Sequence, residues 1–158
     1  MTESFENRIT VEFLVSSPDW TTQHLADAIG IEPDRRYDKP PHLANLHNIV
    51  SYASGLPETT GFTEQVLALL TRLEPVRRRV SEMVENGFVA TKLRVSGEVS
   101  EGVDLVLPRQ QVALMGDLGV SLSFSAVYHE SAAYYRALAR RNREERLRRQ
   151  DRPTEPSF

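Results

Sequence analysis

The stretch EPDRRYDKPPH, residues 32–42, gathers Asp34, Arg35, Arg36, Tyr37, Asp38, Lys39 and His42 into one short connection. Guanidinium forks and an ammonium beside a phenol suit recognition of an anion or of the charged face of a protein. The candidate binding residues are therefore Arg35, Arg36, Tyr37, Asp38, Lys39 and His42, with Arg35, Arg36 and Lys39 as the anion contacts. The competing reading is a solvated connection stiffened by prolines. A second concentration of charge is C-terminal, where Arg140, Arg141, Arg143, Arg146, Arg148 and Arg149 follow Tyr134 and Tyr135. Such a helix can neutralise phosphates while its tyrosines stack on bases, which makes nucleic acid the alternative partner. The rest of the chain opposes that binding: residues 1–130 hold 11 Lys+Arg against 18 Asp+Glu, whereas residues 131–158 hold 8 against 4. Docking of the basic segment on the acidic body of a second copy fits the same asymmetry.

Other chemistries find little support. The four histidines, His24, His42, His47 and His129, include no pair at helical metal-ligand spacing, so no metal site is expected. His129 and Glu130 form a pair without a nucleophile, and Glu98, Glu101 and Asp104 read as a solvated acidic loop rather than paired catalytic carboxylates. There is no Gly-x-Ser-x-Gly elbow and no glycine-rich phosphate loop. The absence of cysteine removes thiolate chemistry and disulfides and fits a cytoplasmic protein. The start, MTESFENRIT, has neither the apolar run of a signal peptide nor that of a membrane anchor. The expectation is a protein that is not an enzyme and uses no cofactor; an enzyme of unrecognised type would need a pocket in which ionisable groups converge.

These groups must be positioned by a body that alternates strands and helices. ITVEFLVS, FVATKLRV and VSLSFSAVY alternate apolar and polar residues with period two, the pattern of sheet strands buried on one face and wet on the other. A weaker strand is expected around Asn48 to Ser54. Thr21 or Thr22 caps a short helix that Gly30 and Pro33 end. Residues 61–87 carry two apolar stripes, Phe62, Val66, Leu69, Leu70 and Leu73, then Val76, Val80, Met83 and Val84, with Pro75 splitting or kinking the helix between them. A last internal helix starts at Pro108, buries Val112, Leu114, Met115 or Leu118, and stops at Gly119.

The order β-α-β-α-α-β-α-β predicts an α+β fold: a ferredoxin-like, mostly antiparallel four-stranded sheet with helices on one face, plus a C-terminal helix. Residues 1–130 form the single domain, 131–152 the basic helix and 153–158 a disordered tail. The wet face carries Thr10, Glu12, Leu14, Lys92, Arg94 and Val127, and its two large apolar residues, Leu14 and Val127, suit a homodimer.

The stretches SSPDW, LADAIGIEP, NIVSYAS, VLALLTRLEPVRRRV and LGVSLSFSAVY together resemble a bacterial family catalogued as domain of unknown function 4279, over about residues 8–129. That family is uncharacterised, so the resemblance implies no activity. The functional expectation is a non-enzymatic module that binds a protein, including a toxin in an immunity-type pairing, through the loop from Arg35 to His47 and the adjoining sheet edge.

Overall fold

The computed structural model describes residues 7–43, 46–99, 105–128, 139–141 and 143. The chain runs through strand β1 (Arg8–Ser17), helix α1 (Thr22–Ile29), strand β2 (Arg35–Tyr37), strand β3 (Asn48–Ala53) and helix α2 (Phe62–Leu73). A 3-10 turn at Glu74–Val76 leads into helix α3 (Arg77–Glu85), strand β4 (Ala90–Val99), helix α4 (Arg109–Asp117) and strand β5 (Val120–Tyr128).

Alternation along β1 puts Ile9, Val11, Phe13 and Val15 in the core. Register sets them beside like residues: Phe13 pairs with Tyr52 and Leu93, Val15 with Val50, Val11 with Val95. Leu25 and Ile29 of α1, the Phe62 to Leu73 stripe of α2, and Val80 and Met83 of α3 close over this face. Each fully buried aliphatic or aromatic side chain here stabilises the fold by roughly 1.5–3 kcal/mol.

The helix ends follow local chemistry. Thr21 Oγ1 accepts from the His24 N–H at 3.1 Å, and Gly30 closes α1 with φ 90° while its N–H donates to Ala26 O. A side chain at Gly30 would also collide with Arg79, whose guanidinium donates to Ile29 O at 2.9 Å. Pro75 divides α2 from α3 through the 3-10 turn, as its missing N–H demands.

The sheet corrects part of the expected architecture. Among the described residues it has five strands rather than four, because part of the charged connection is itself the short strand β2. The order is β2-β3-β1-β4-β5, antiparallel except for a parallel β4–β5 pair. A ferredoxin-like sheet separates the two strands of each strand-helix-strand half by a strand of the other; here β1 stays beside β3 and β4 beside β5. The strand at residues 120–128 also departs from expectation. Leu122 and Phe124 share the face of the buried Leu93 and Val95, yet they are 42% and 49% exposed. β5 lies at the rim, where α4 meets it and the Phe124 ring lies 6.3 Å from that of Phe62 in α2. In α4 itself, Gln111 and Met115 are buried and Val112 is exposed. Residues 139–141 and 143 are helical; the remainder of the expected basic helix and tail lies outside the described residues.

Gln65 solves a problem of backbone accounting. β3 pairs with β1 only from Glu12 onward, so the preceding groups of β1 on that side lack a neighbouring strand. The Gln65 side chain fills the gap: Val11 N–H donates to its Oε1 at 3.2 Å, and its Nε2 donates to Ile9 O at 2.6 Å and to Thr60 O at 3.0 Å. Ile9 N–H donates to Glu58 O at 2.7 Å.

Gln65→Leu keeps the volume but removes the amide that both β1 groups use, and should cost about 1–3 kcal/mol for each stranded group in a urea titration. Tyr52 supplies a pH test. Burial pushes its phenol up to about 12 from 10.0, against the opposing pull of Arg72. Its stabilising effect is complete below pH 10 and is lost as pH rises toward 12, because the unfolded phenol ionises first. Tyr52→Phe should flatten the alkaline fall in stability over that interval.

Candidate functional site

The core cluster takes α1 to α4 onto one face of the sheet and leaves the other face outside it. Strand parity decides what stands there: Thr10, Glu12, Leu14 and Ser16 from β1, Lys92 and Arg94 from β4, Ile49 and Ser51 from β3, and Arg35 and Tyr37 from β2.

The centre of this face is Glu12, which is only 4% exposed although α1 to α4 pack on the opposite face. Arg94 donates to Glu12 Oε2 from Nε at 3.0 Å and from a terminal nitrogen at 2.5 Å. Ser51 Oγ donates to Oε1 at 2.9 Å, and the Arg35 guanidinium lies 3.9 Å from that oxygen. Hydrogen bonds from Ser51 and Arg94, with the Arg35 charge alongside, compensate the carboxylate's loss of solvation. The hydrogen bonds to Glu12 raise the Arg94 pKa above its ordinary value; for Arg35 the first cause of the same rise is Tyr37, which also acts on Arg94. Arg35, Tyr37 and Arg94 thus form one cluster, and all three retain contact with solvent, the Arg35 side chain at 66%.

Beside the cluster, toward the Ser16 end of β1, lies a hollow of about 280 Å³ lined by Leu14, Ser16, His47, Ile49, Lys92 and Ser121 among others. Its lining combines apolar Leu14, Ile49 and Ala90 with hydroxyls, the Lys92 ammonium and the His47 imidazole. Leu14 is itself 9% exposed, so the monomer already covers one of the two apolar residues expected to support a dimer through this face; the Val127 side chain lies outside the described residues.

The structure divides the binding residues expected in the charged connection. Arg35 and Tyr37 join the sheet face, and Arg36 turns the other way, donating to Gln23 Oε1 at 2.6 Å and Glu32 Oε1 at 2.8 Å. Asp38 accepts from Thr22 Oγ1 at 2.8 Å. Lys39 donates from Nζ to Pro18 O at 2.5 Å and from its backbone to Asn48 Oδ1 at 2.8 Å. His42 is exposed in the loop. Asp34, on the approach to β2, accepts from the Ala53 N–H at 2.8 Å and from Arg72 at 2.5 Å. Burial alone would raise its carboxyl, but these bonds outweigh it and hold the group below the usual carboxylate range. Much of the charge in this connection braces the fold.

The other candidates stay apart. Of the C-terminal arginines, Arg140, Arg141 and Arg143 are helical and exposed, while Arg146, Arg148 and Arg149 lie outside the described residues, as do His129, Glu101 and Asp104. Glu98 belongs to β4 rather than to a loop. His24 lies against Trp20 with ring centroids 4.4 Å apart and the planes tilted by 32°. Among the described residues no three His, Asp or Glu side chains gather as a metal site, and no helix is long and apolar enough to cross a membrane. Sequence patterning placed Glu12 and Arg94 on the wet face but did not reveal their pairing; opposite charges at even positions of two alternating strands were the available signal.

Arg94→Met should destabilise the protein by roughly 2–4 kcal/mol, since it leaves a carboxylate out of water without its main partner. The double variant Glu12→Gln/Arg94→Met should recover a large part of that loss in chemical denaturation, which is the coupling a double-mutant cycle measures.

A family model described as a domain of unknown function (DUF4279) matches residues 7–129. No curated protein and no solved structure matches the chain. The matched span runs from the start of β1 to just past β5, taking in the whole sheet and the Glu12 cluster. The resemblance carried by the five sequence stretches therefore holds, and the chain belongs to the family of the domain of unknown function DUF4279.

Proposed function

We propose that this protein is a non-enzymatic binding module that recognises a protein partner across the open face of its sheet and the adjoining β2 rim. The observation that carries this reading is the Glu12 cluster, in which a buried carboxylate holds Arg94 and draws in Arg35 beside Tyr37. Arginine and tyrosine dominate the energetics of protein interfaces, because each combines a large contact area with oriented hydrogen bonding. Here part of the ordering cost has already been met within the monomer, since Arg94 is fixed before any partner arrives. The exposed edges of the guanidiniums suit a carboxylate, and the neighbouring hollow, with Leu14 and Ile49, suits a small apolar side chain. The partner surface is accordingly acidic with an apolar anchor. An immunity-type pairing with a toxin is one form of this reading, which also takes the protein to be cytoplasmic.

The alternative, a nucleic-acid-associated protein, draws on Arg140, Arg141 and Arg143, which are exposed on a helix. The two readings separate by which variant loses the partner. In capture experiments from the native host, Arg35→Glu/Tyr37→Ala should abolish recovery of a protein that the wild type retains. Equal recovery by the variant, or no specific protein with the wild type, refutes the open-face reading. Retention of nucleic acid that weakens steeply with salt and disappears on Arg140→Ala/Arg141→Ala/Arg143→Ala substitution would establish the alternative.

A further inference from the structure

The two rims of the sheet are built differently. β2 spans three residues, includes Arg35 and Arg36, and lies between Pro33 and the pair Pro40 and Pro41. Shortness, charge and nearby proline are the devices that keep a rim strand from pairing with another chain. β5 has none of them: its nine residues, VSLSFSAVY, include no charge, no proline and no glycine. It ends the sheet among the described residues, and its core-side Leu122 and Phe124 are 42% and 49% exposed. Across the β4–β5 register their partners Leu93 and Val95 are 1% and 0% exposed. A long, uncharged, strand-forming rim of this kind left in water is an aggregation site.

We propose that β5 pairs antiparallel with β5 of a second copy, joining two five-stranded sheets into one of ten strands about a two-fold axis normal to the sheet. The chemistry of the strand singles out a second copy as the occupant. A two-fold normal to the sheet keeps every side chain on its own face, so residues opposite each other across the new ladder share parity. Serine meets serine and apolar meets apolar. Centred on Ser123, the pairing sets Leu122 against the partner's Phe124 and Ser121 against the partner's Ser125, covering the exposed apolar pair while the serines form a polar ladder. A charged strand paired with itself brings like charges together; β5 has none to bring. Main-chain hydrogen bonds supply affinity, as in other strand additions. The same axis leaves both helix layers on one side and both open faces on the other, so the dimer presents its two Glu12 clusters in the same direction. The pairing does not depend on what binds those faces.

Sedimentation equilibrium on the full chain should show a dimer that dissociates on dilution, with hydrogen exchange of the β5 amides accelerating as the dimer dissociates. Phe124→Lys alters a half-exposed position at the edge of the Phe62 contact and should shift the equilibrium to monomer with an unchanged circular dichroism spectrum. Mixing it with Leu122→Glu, which sets a carboxylate opposite that ammonium, should restore a heterodimer. A wild-type chain that stays monomeric at every concentration overturns the proposal, whether its β5 amides exchange quickly or are shielded by the chain's own residues. A dimer whose β5 exchange is independent of concentration and which Phe124→Lys leaves intact overturns it equally. If Phe124→Lys fails to fold, the concentration dependence of wild-type exchange decides alone.

Discussion

A carboxylate drawn out of water in the middle of a sheet must be met by donors on each oxygen, because the Born penalty otherwise exceeds what the surrounding contacts return. Glu12 occupies that position in β1, which lies at the centre of the five strands. Its oxygens are met by Ser51 of β3 and Arg94 of β4, with Arg35 of β2 alongside, so one side chain links four strands on the face opposite α1 to α4. The opposite face is held by ordinary burial of apolar side chains. The two faces of β1 thus obey different physics: the helix side is non-directional packing, and the open side is a small set of oriented, charge-assisted bonds. Oriented bonds fix cationic groups in place in a way that packing alone does not.

The charged connection between α1 and β3 gains a different meaning in this setting. Arg72 reaches from α2 to Asp34, to Ala53 O at 3.0 Å and to Glu32 O at 3.1 Å, while its guanidinium lies 5.6 Å from the centre of the Tyr52 ring. Arg36, Asp38 and Lys39 hold the connection to α1 and to the turn before it. With those ties made, β2 runs in a defined register with β3, Arg35 opposite Ser51 and Tyr37 opposite Ile49. Charges that looked like a recognition loop are mainly the fastening that points two members, Arg35 and Tyr37, at the sheet face. Recognition residues carried on a strand are placed more accurately than the same residues on a loop.

Some of this was legible in the chain itself. Thr21, Gly30 and Pro75 act within one or two turns of their own positions, so cap, stop and break could be read from neighbours in sequence. Period-two alternation in β1 and β4 likewise assigned Val11 and Val95 to one face and Glu12 and Arg94 to the other, because parity is a property of a single strand. Family membership was legible for the same reason, since it was carried by short contiguous stretches.

Strand order was not, because adjacency depends on which apolar faces can be covered together over separations of tens of residues. The interleaved ferredoxin-like order and the observed one satisfy the same local pattern of strands and helices. Packing under α1, which meets both β1 and β3, and α2, which meets β1, goes with the order that keeps β1 beside β3. The Gln65 contacts are invisible in sequence for a related reason: a glutamine in an apolar stripe reads as a blemish until the unpaired stretch of β1 it completes is known. Alternation predicted that Leu122 and Phe124 face inward, and they do share the core face. Only the tertiary arrangement determined that β5 lies at the rim, where the described helices leave that face largely open. By itself the sequence determined which residues share a side of each strand and where helices start and stop, since those are local consequences of backbone geometry. The tertiary structure alone decided which strands are neighbours, and with that which arginines meet Glu12 and which apolar positions stay in water, because those outcomes depend on long-range packing that no single segment encodes.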